Sequence, residues 1–200
     1  MRQTLLFLTM IVAFFFNQNA LAQNPVPFHG VVQSPESRSF LCSEQGGFRN
    51  RNCGDVAYEP QSIEGPKGFP AAGPADGHIA SGGQARFAEL NEQDVNRWYR
   101  VDINRGDNTF IWSLHATHAT SSWRIFITRP DWNPNAPLTR AQFVLTPICS
   151  EEKQGAVPPT IVVLPCFIPP EYTGYHVILA VWDVADTPNA FYQVIDVQIH

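Results

Sequence analysis

Residues 98–103, 109–117, 123–128, 143–146, 160–164, 176–184 and 191–199 are rich in Val, Ile, Thr and aromatics, with polar turn clusters between them. Branched and aromatic side chains suit a pleated, half-buried surface, so each run predicts a β-strand. In Phe110, Trp112, Leu114 and Ala116 the apolar side chains alternate, the period of a strand with one buried face. Phe191 shares its parity with Ile195, Val197 and Ile199, which puts it on an apolar face. Turn residues such as Arg105-Gly106-Asp107-Asn108 and Asp131-Trp132-Asn133-Pro134 break the runs, and the chain holds 17 prolines and 13 glycines. Many short strands with frequent breakers predict a mainly β chain folded as an antiparallel sandwich.

Residues 54–92 differ. They contain Glu59-Pro60, Gly65-Pro66-Lys67-Gly68-Phe69-Pro70 and Ala72-Gly73-Pro74-Ala75-Asp76-Gly77, with no sustained helical period. The segment predicts a long insertion of loops and short helical turns between the first strands, a place where function often sits.

The N-terminal pattern is different again: a lone early cation at Arg2, an apolar core over residues 5–16, a polar Asn17-Gln18-Asn19 step and the small-x-small triplet Ala20-Leu21-Ala22. This is the grammar of a secretory signal peptide over residues 1–22, with a second candidate boundary at 28. The apolar run is shorter than the roughly 20 residues of a membrane-spanning helix, so the expected location is extracellular, with no membrane partner. The rest predicts one domain over residues 29–200. Its four cysteines allow three pairings, and proximity favours Cys42–Cys53 and Cys149–Cys166. Net charge is −5 with scattered basic residues, which argues against nucleic acid or an anionic membrane as partner.

Most enzyme signatures are absent, including a Gly-x-Ser-x-Gly elbow, a phosphate-cradling loop and His-Glu-x-x-His. Of six histidines, two stand out. His29 lies just past the signal region, and a histidine made N-terminal by cleavage holds a metal with both amine and ring. His118 ends the strand that carries Phe110 to Ala116. Two imidazoles and an amine make a planar three-nitrogen set that suits copper. A strand-end histidine is ordinarily a surface or hydrogen-bonded residue, and composition alone favours that reading. Cleavage after Ala22 would leave Gln23 to Phe28 ahead of His29 and make its nitrogen an amide, so the copper reading requires further trimming or cleavage after Phe28.

From His29 to the C-terminus the chain resembles the bacterial chitin-binding proteins classed as lytic polysaccharide monooxygenases of auxiliary activity family 10. The resemblance runs through His29-Gly30, Ser34-Pro35-x-Ser37-Arg38, Tyr58-Glu59-Pro60-Gln61-Ser62-Ile63-Glu64-Gly65 and Gly73-Pro74-Ala75-Asp76-Gly77-His78-Ile79-Ala80-Ser81. It continues through Thr120-Ser121-Ser122-Trp123, residues 177–187 and Asn189-Ala190-Phe191-Tyr192-Gln193. The resemblance implies an immunoglobulin- or fibronectin-III-like sandwich, and a chitin-binding monooxygenase domain in which His29 and His118 hold one copper ion as a histidine brace. It further implies that Phe191 lies on the axial side of the metal, that Ala116 leaves the other approach open, and that Glu64 is an acid near the oxygen-binding position. Tyr58, Glu59, Asp186 and Asn189 match the face that contacts crystalline chitin. The implied activity, in a monomer, is oxidative cleavage of glycosidic bonds at C1 with an external electron donor and hydrogen peroxide or O2.

Competing readings are specific. Trp112, Trp123 and Trp182 sit in apolar strand patterns and are expected in the core rather than on a sugar-binding platform. Asp183 and Asp186 lack the partner glutamate that a glycosidase pair would need. A non-catalytic chitin-binding adhesin or helper is the rival function, and cellulose the rival polymer.

Overall fold

The computed structural model describes residues 29–200; the expected signal peptide over 1–22, with its second boundary at 28, lies outside the described residues. Among the described residues nine strands form two sheets. They are β1 (Gly30–Ser34), β2 (Glu64–Pro66), β3 (Val101–Ile103), β4 (Gly106–Leu114), β5 (Thr120–Ile127), β6 (Cys149–Ala156), β7 (Ile161–Ile168), β8 (Gly174–Val184) and β9 (Asn189–Ile199). The small sheet has the order β1-β4-β7, and the large one β2-β9-β8-β5-β6. The sheets are antiparallel, as expected, with one short parallel pairing of β3 to the end of β9.

The apolar side chains explain this layering. Trp112, Phe110 and Leu164 from the small sheet meet Trp123, Ile125, Trp182, Phe191, Ile195 and Val197 from the large one, and this is the inter-sheet core. Residues of opposite parity, Phe126, Leu179, Val181, Tyr192 and Val194, pack on the other face against Val56, Ile63, Phe69, Ile79 and Phe87 of the insertion. A sheet covered on both faces needs apolar residues at every position, and β8 is buried from His176 to Val184. The three expected tryptophans are in the core, with Trp112 and Trp182 fully buried and Trp123 at 1% exposure.

The insertion between β1 and β3 holds β2 and two 3₁₀ segments, Gly54–Ala57 and Ala85–Asn91, the latter broken at Phe87. A five-residue helix, α1 (Arg38–Cys42), lies between β1 and these segments. The bonded cysteines are Cys42–Cys53 and Cys149–Cys166, as proximity favoured.

Two strand expectations are corrected. Residues 143–146 form no strand and contribute only a bridge between Phe143 and Thr128. Phe143 reads as strand because its ring is buried, packing edge-on to Phe69. The chain pairs with β5 only further on, as β6, whose sequence Cys-Ser-Glu-Glu-Lys-Gln-Gly-Ala is mostly solvent-facing and therefore polar. The expected strand over 98–103 is ordered as a strand only from Val101, because Trp98 is anchored by its indole N–H to the Glu92 carbonyl at 2.7 Å.

Candidate metal centre

His29 directly precedes β1, whose first residue lies opposite Leu114, the last of β4. Leu114 ends its strand and the chain turns, so His118 lies in the 115–119 connection to β5 rather than at a strand end. Two main-chain bonds hold the segments together: the N–H groups of His115 and Ala116 both donate to the His29 carbonyl, at 2.8 and 3.4 Å. Gly30 permits the close approach, since a Cβ there would meet Leu114 Cδ2 at 2.6 Å and Trp182 at 3.2 Å.

From the large sheet, Phe191 comes close to both imidazoles. Its ring centroid is 6.0 Å from that of His29, nearly perpendicular to it, and 6.1 Å from that of His118. Trp182, opposite Phe191 on β8, stacks on it at 4.9 Å and lies 5.9 Å from the His118 ring. The buried Trp182 indole N–H donates to Thr120 Oγ1 at 2.9 Å, and the Thr120 hydroxyl donates to the His118 carbonyl at 3.1 Å. This relay fixes the loop that carries His118.

Glu64 opens β2, where it lies directly opposite Phe191. Its side chain accepts from Asn189 Nδ2 at 2.8 Å, and its carbonyl accepts from Gln84 Nε2 at 2.8 Å. The adjacent Gly65 cannot be replaced without movement, because a Cβ would fall 2.2 Å from the Gly82 carbonyl oxygen. Asp186 is exposed in the β8–β9 turn with Oδ1 3.6 Å from His118 Nδ1, longer than a hydrogen bond. Lys67 clamps that turn through the carbonyls of Val184 and Thr187, at 2.9 and 2.6 Å. Asp183, by contrast, is buried and bonded to Arg124 at 2.7 Å and to Ser122 at 3.0 Å, which leaves it no part in a carboxylate pair.

The electrostatics single out His29. Burial pushes its imidazole down to about 4, against the opposing attraction of Glu59, with Arg86, His115 and His118 adding to the shift. The ring is therefore neutral at pH 7, the state in which nitrogen lone pairs bind metals. Its Nδ1 is buried without a hydrogen-bond partner. Among the described residues no three His, Cys, Asp or Glu side chains are grouped to hold a metal ion. The donor set fits copper: an orphaned, neutral Nδ1 on His29, a second imidazole from His118, and the His29 nitrogen once it is a free amine.

The family profile described as "lytic polysaccharide mono-oxygenase, cellulose-degrading" matches residues 29–197. The chain belongs to the lytic polysaccharide mono-oxygenases. Among solved structures it is similar to an AA10 lytic polysaccharide mono-oxygenase from Photorhabdus luminescens, with 53% identity, a TM-score of 0.85, and coverage of 86% of this chain and 98% of that one. A Bacillus amyloliquefaciens protein solved in complex with Cu(I) is 44% identical with a TM-score of 0.80, over 86% of this chain and all of that one. The GlcNAc-binding protein A of Shewanella oneidensis is 47% identical over 90% of this chain but only 37% of its own length. The chain thus spans little more than a third of that curated relative.

In this member of the family the structure brings together His29, His118, Phe191, Glu64, Asn189 and Asp186, with Ala116 beside the His29 carbonyl. Tyr58 stands apart at 85% exposure, and Glu59 pairs with Arg86 at 3.1 Å. Three positioning residues carried no signal of their own in the sequence. Thr120 and Gln193 lie within the motifs of resemblance, yet only their bonds reveal them: Gln193 accepts from Ser39 at 2.7 Å and donates to the Pro60 carbonyl at 3.1 Å, tying β9 to the Tyr58 turn. Arg86 lies in an unpatterned polar stretch and nothing in the sequence points to it.

Proposed function

We propose that residues 29–200 form a secreted, monomeric, copper-dependent mono-oxygenase domain that cleaves crystalline chitin oxidatively at C1. The observation that carries the reading is the buried, unpartnered and neutral Nδ1 of His29, whose ring lies 6.0 Å from that of Phe191 with the His118 ring 6.1 Å from the same phenylalanine. His29 and His118 would hold the metal. Copper held there would supply one-electron redox chemistry, with an external electron donor and hydrogen peroxide or O2 as co-substrates.

The chain's own residues do the rest. Phe191 fills the space beside the two rings with an apolar wall that keeps water from one side. Ala116, being small, leaves room opposite. Glu64, held by Asn189, places a carboxyl where it can pass or accept a proton. Tyr58 offers an exposed aromatic face for a sugar ring, and Glu59, Asp186 and Asn189 offer hydrogen-bond partners around it. Chitin is favoured over cellulose by the relatives named GlcNAc-binding protein A, although the family description names cellulose.

The reading requires a free amine on His29, hence removal of residues 1–22 and also of 23–28. Intact-mass measurement of secreted protein tests this, and a form beginning at Gln23 is expected to lack tight copper binding. Copper-loaded protein beginning at His29, incubated with chitin and a reductant, is expected to release C1-oxidised oligosaccharides; cellulose in a parallel assay decides the polymer. The names of the curated relatives also favour a second reading, a chitin-binding adhesin. Binding without oxidised products at full copper occupancy would establish it.

A further inference from the structure

We propose that the cleft between residues 43–48 and the Tyr58 turn is a sugar-binding subsite that extends the polysaccharide face away from the two histidines. The inference rests on the polysaccharide reading above. The cleft measures about 330 Å³, and its walls include Phe48, Tyr58, Glu44, Gln61 and His115. It adjoins the metal centre through His115, whose main-chain N–H is bonded to the His29 carbonyl at 2.8 Å.

Phe48 makes the cleft more than a surface depression. Its φ is 50°, in the left-handed region where a bulky side chain is uncommon, and its ring is 41% exposed. The conformation is fixed by the surrounding loop. Phe48 N–H donates to the Ser43 carbonyl at 2.9 Å, Gly47 N–H to the Glu44 carbonyl at 2.9 Å, and the Cys42–Cys53 bond closes the segment. Gly46 is packed so closely that a Cβ would lie 2.1 Å from the Phe40 carbonyl oxygen. Glycine would suit position 48 on backbone grounds, and a polar residue would suit its exposure. A phenylalanine there opposes both preferences, and strained backbone of this kind clusters at functional sites.

The chemistry of the walls identifies the ligand. Two exposed aromatic rings, Phe48 and Tyr58, present faces for the apolar side of a pyranose, while the Glu44 carboxylate and the Gln61 amide can bond hydroxyl and acetamide groups. The volume lies within the roughly 300–1,000 Å³ of small-ligand sites. A polysaccharide chain crossing Tyr58 would therefore place a further sugar unit against Phe48.

Binding isotherms of the mature, copper-loaded protein on chitin and on cellulose test the subsite. Phe48→Gly is expected to weaken polysaccharide binding roughly tenfold, equivalent to about 1.4 kcal/mol. Its thermal midpoint should be unchanged or higher, because glycine relieves the left-handed backbone, and copper affinity should stay the same. Phe48→Trp should retain binding. Glu44→Ala, an exposed change that leaves the backbone alone, should weaken it as well. If Phe48→Gly and Glu44→Ala bind chitin like wild type while Tyr58→Ala binds less, the subsite is overturned and the function proposal stands. Loss caused by Phe48→Gly on cellulose, in a protein that ignores chitin, would support the subsite and overturn the chitin reading. A wild-type protein that binds neither polymer overturns both.

Discussion

A buried nitrogen with no hydrogen-bond partner costs on the order of 1–3 kcal/mol, and His29 Nδ1 is such an atom. Its neighbours do nothing to relieve the cost by protonation, since burial holds the ring neutral down to about pH 4. A metal would relieve it, provided His118 completes the set. His118→Ala is therefore expected to weaken copper binding by more than about a hundredfold, beyond the effect of losing a residue that merely orients a ligand. Calorimetric titration measures the loss and circular dichroism checks that the fold persists; undiminished affinity would remove His118 from the centre. At this scale the sequence was informative about chemistry and silent about support. His29, His118, Phe191 and Glu64 were singled out by their motifs and lie together in the fold, because the chemistry of a side chain is written in its residue type. The Trp182–Thr120–His118 relay was not, because a threonine in a strand reads only as a β-former until its hydroxyl is seen bonded.

Elements repeat the contrast. β8 and β9 were legible because burial on both faces forces continuous apolar runs, whereas β6 escaped because an edge strand facing water has no reason to be apolar. Nor does pattern disclose how elements are fastened. Arg38 on α1 meets Asp196 on β9 through two bonds, at 2.8 and 2.9 Å, and also donates to the Leu90 carbonyl at 2.7 Å, so one arginine ties α1, the 85–91 segment and β9. Both partners are buried, and breaking such a pair strands a charge. Asp196→Ala should destabilise the fold by about 3–5 kcal/mol in denaturant titration, and a loss below 1 kcal/mol would show that the pair is dispensable. β8 also carries a pH dependence. Burial holds His176 below its ordinary 6.5, against hydrogen bonds that raise it. As pH falls below 6.5 the unfolded chain takes the proton first, so stability is full above that value and declines until the folded ring also titrates. His29 contributes a slope of the same sign, so the comparison that isolates His176 is wild type against His176→Gln. The variant should show the shallower decline between pH 6.5 and 5 in denaturant midpoints, and parallel curves would exclude His176.

For the whole molecule, the decisive arrangement is that the proposed metal centre straddles both sheets: His29 leads into the small one, Phe191 belongs to the large one, and His118 lies on the connection between them. The Cys149–Cys166 bond also joins the two sheets, from β6 to β7, with its Cα atoms 5.5 Å apart. It does so at the far end. Cys166 is paired with Asn108 of β4, whereas the centre lies beyond Leu114 of the same strand. Six residues of strand separate them, about 20 Å. The histidine end has its own fastenings, the bonds from residues 115 and 116 to His29 and the Trp182–Thr120–His118 relay, none of which passes through the disulfide. Stability and metal affinity should therefore separate. Replacing both Cys149 and Cys166 by Ala opens a loop with a sequence separation of 17, which on chain entropy lowers stability by about 3 kcal/mol. In a domain of this size that is a fall of roughly 6–12 °C in thermal midpoint. Copper affinity measured well below the new midpoint should stay near that of wild type. A parallel loss of affinity would mean that the inter-sheet bond, rather than the contacts at the histidine end, sets the spacing of the two imidazoles.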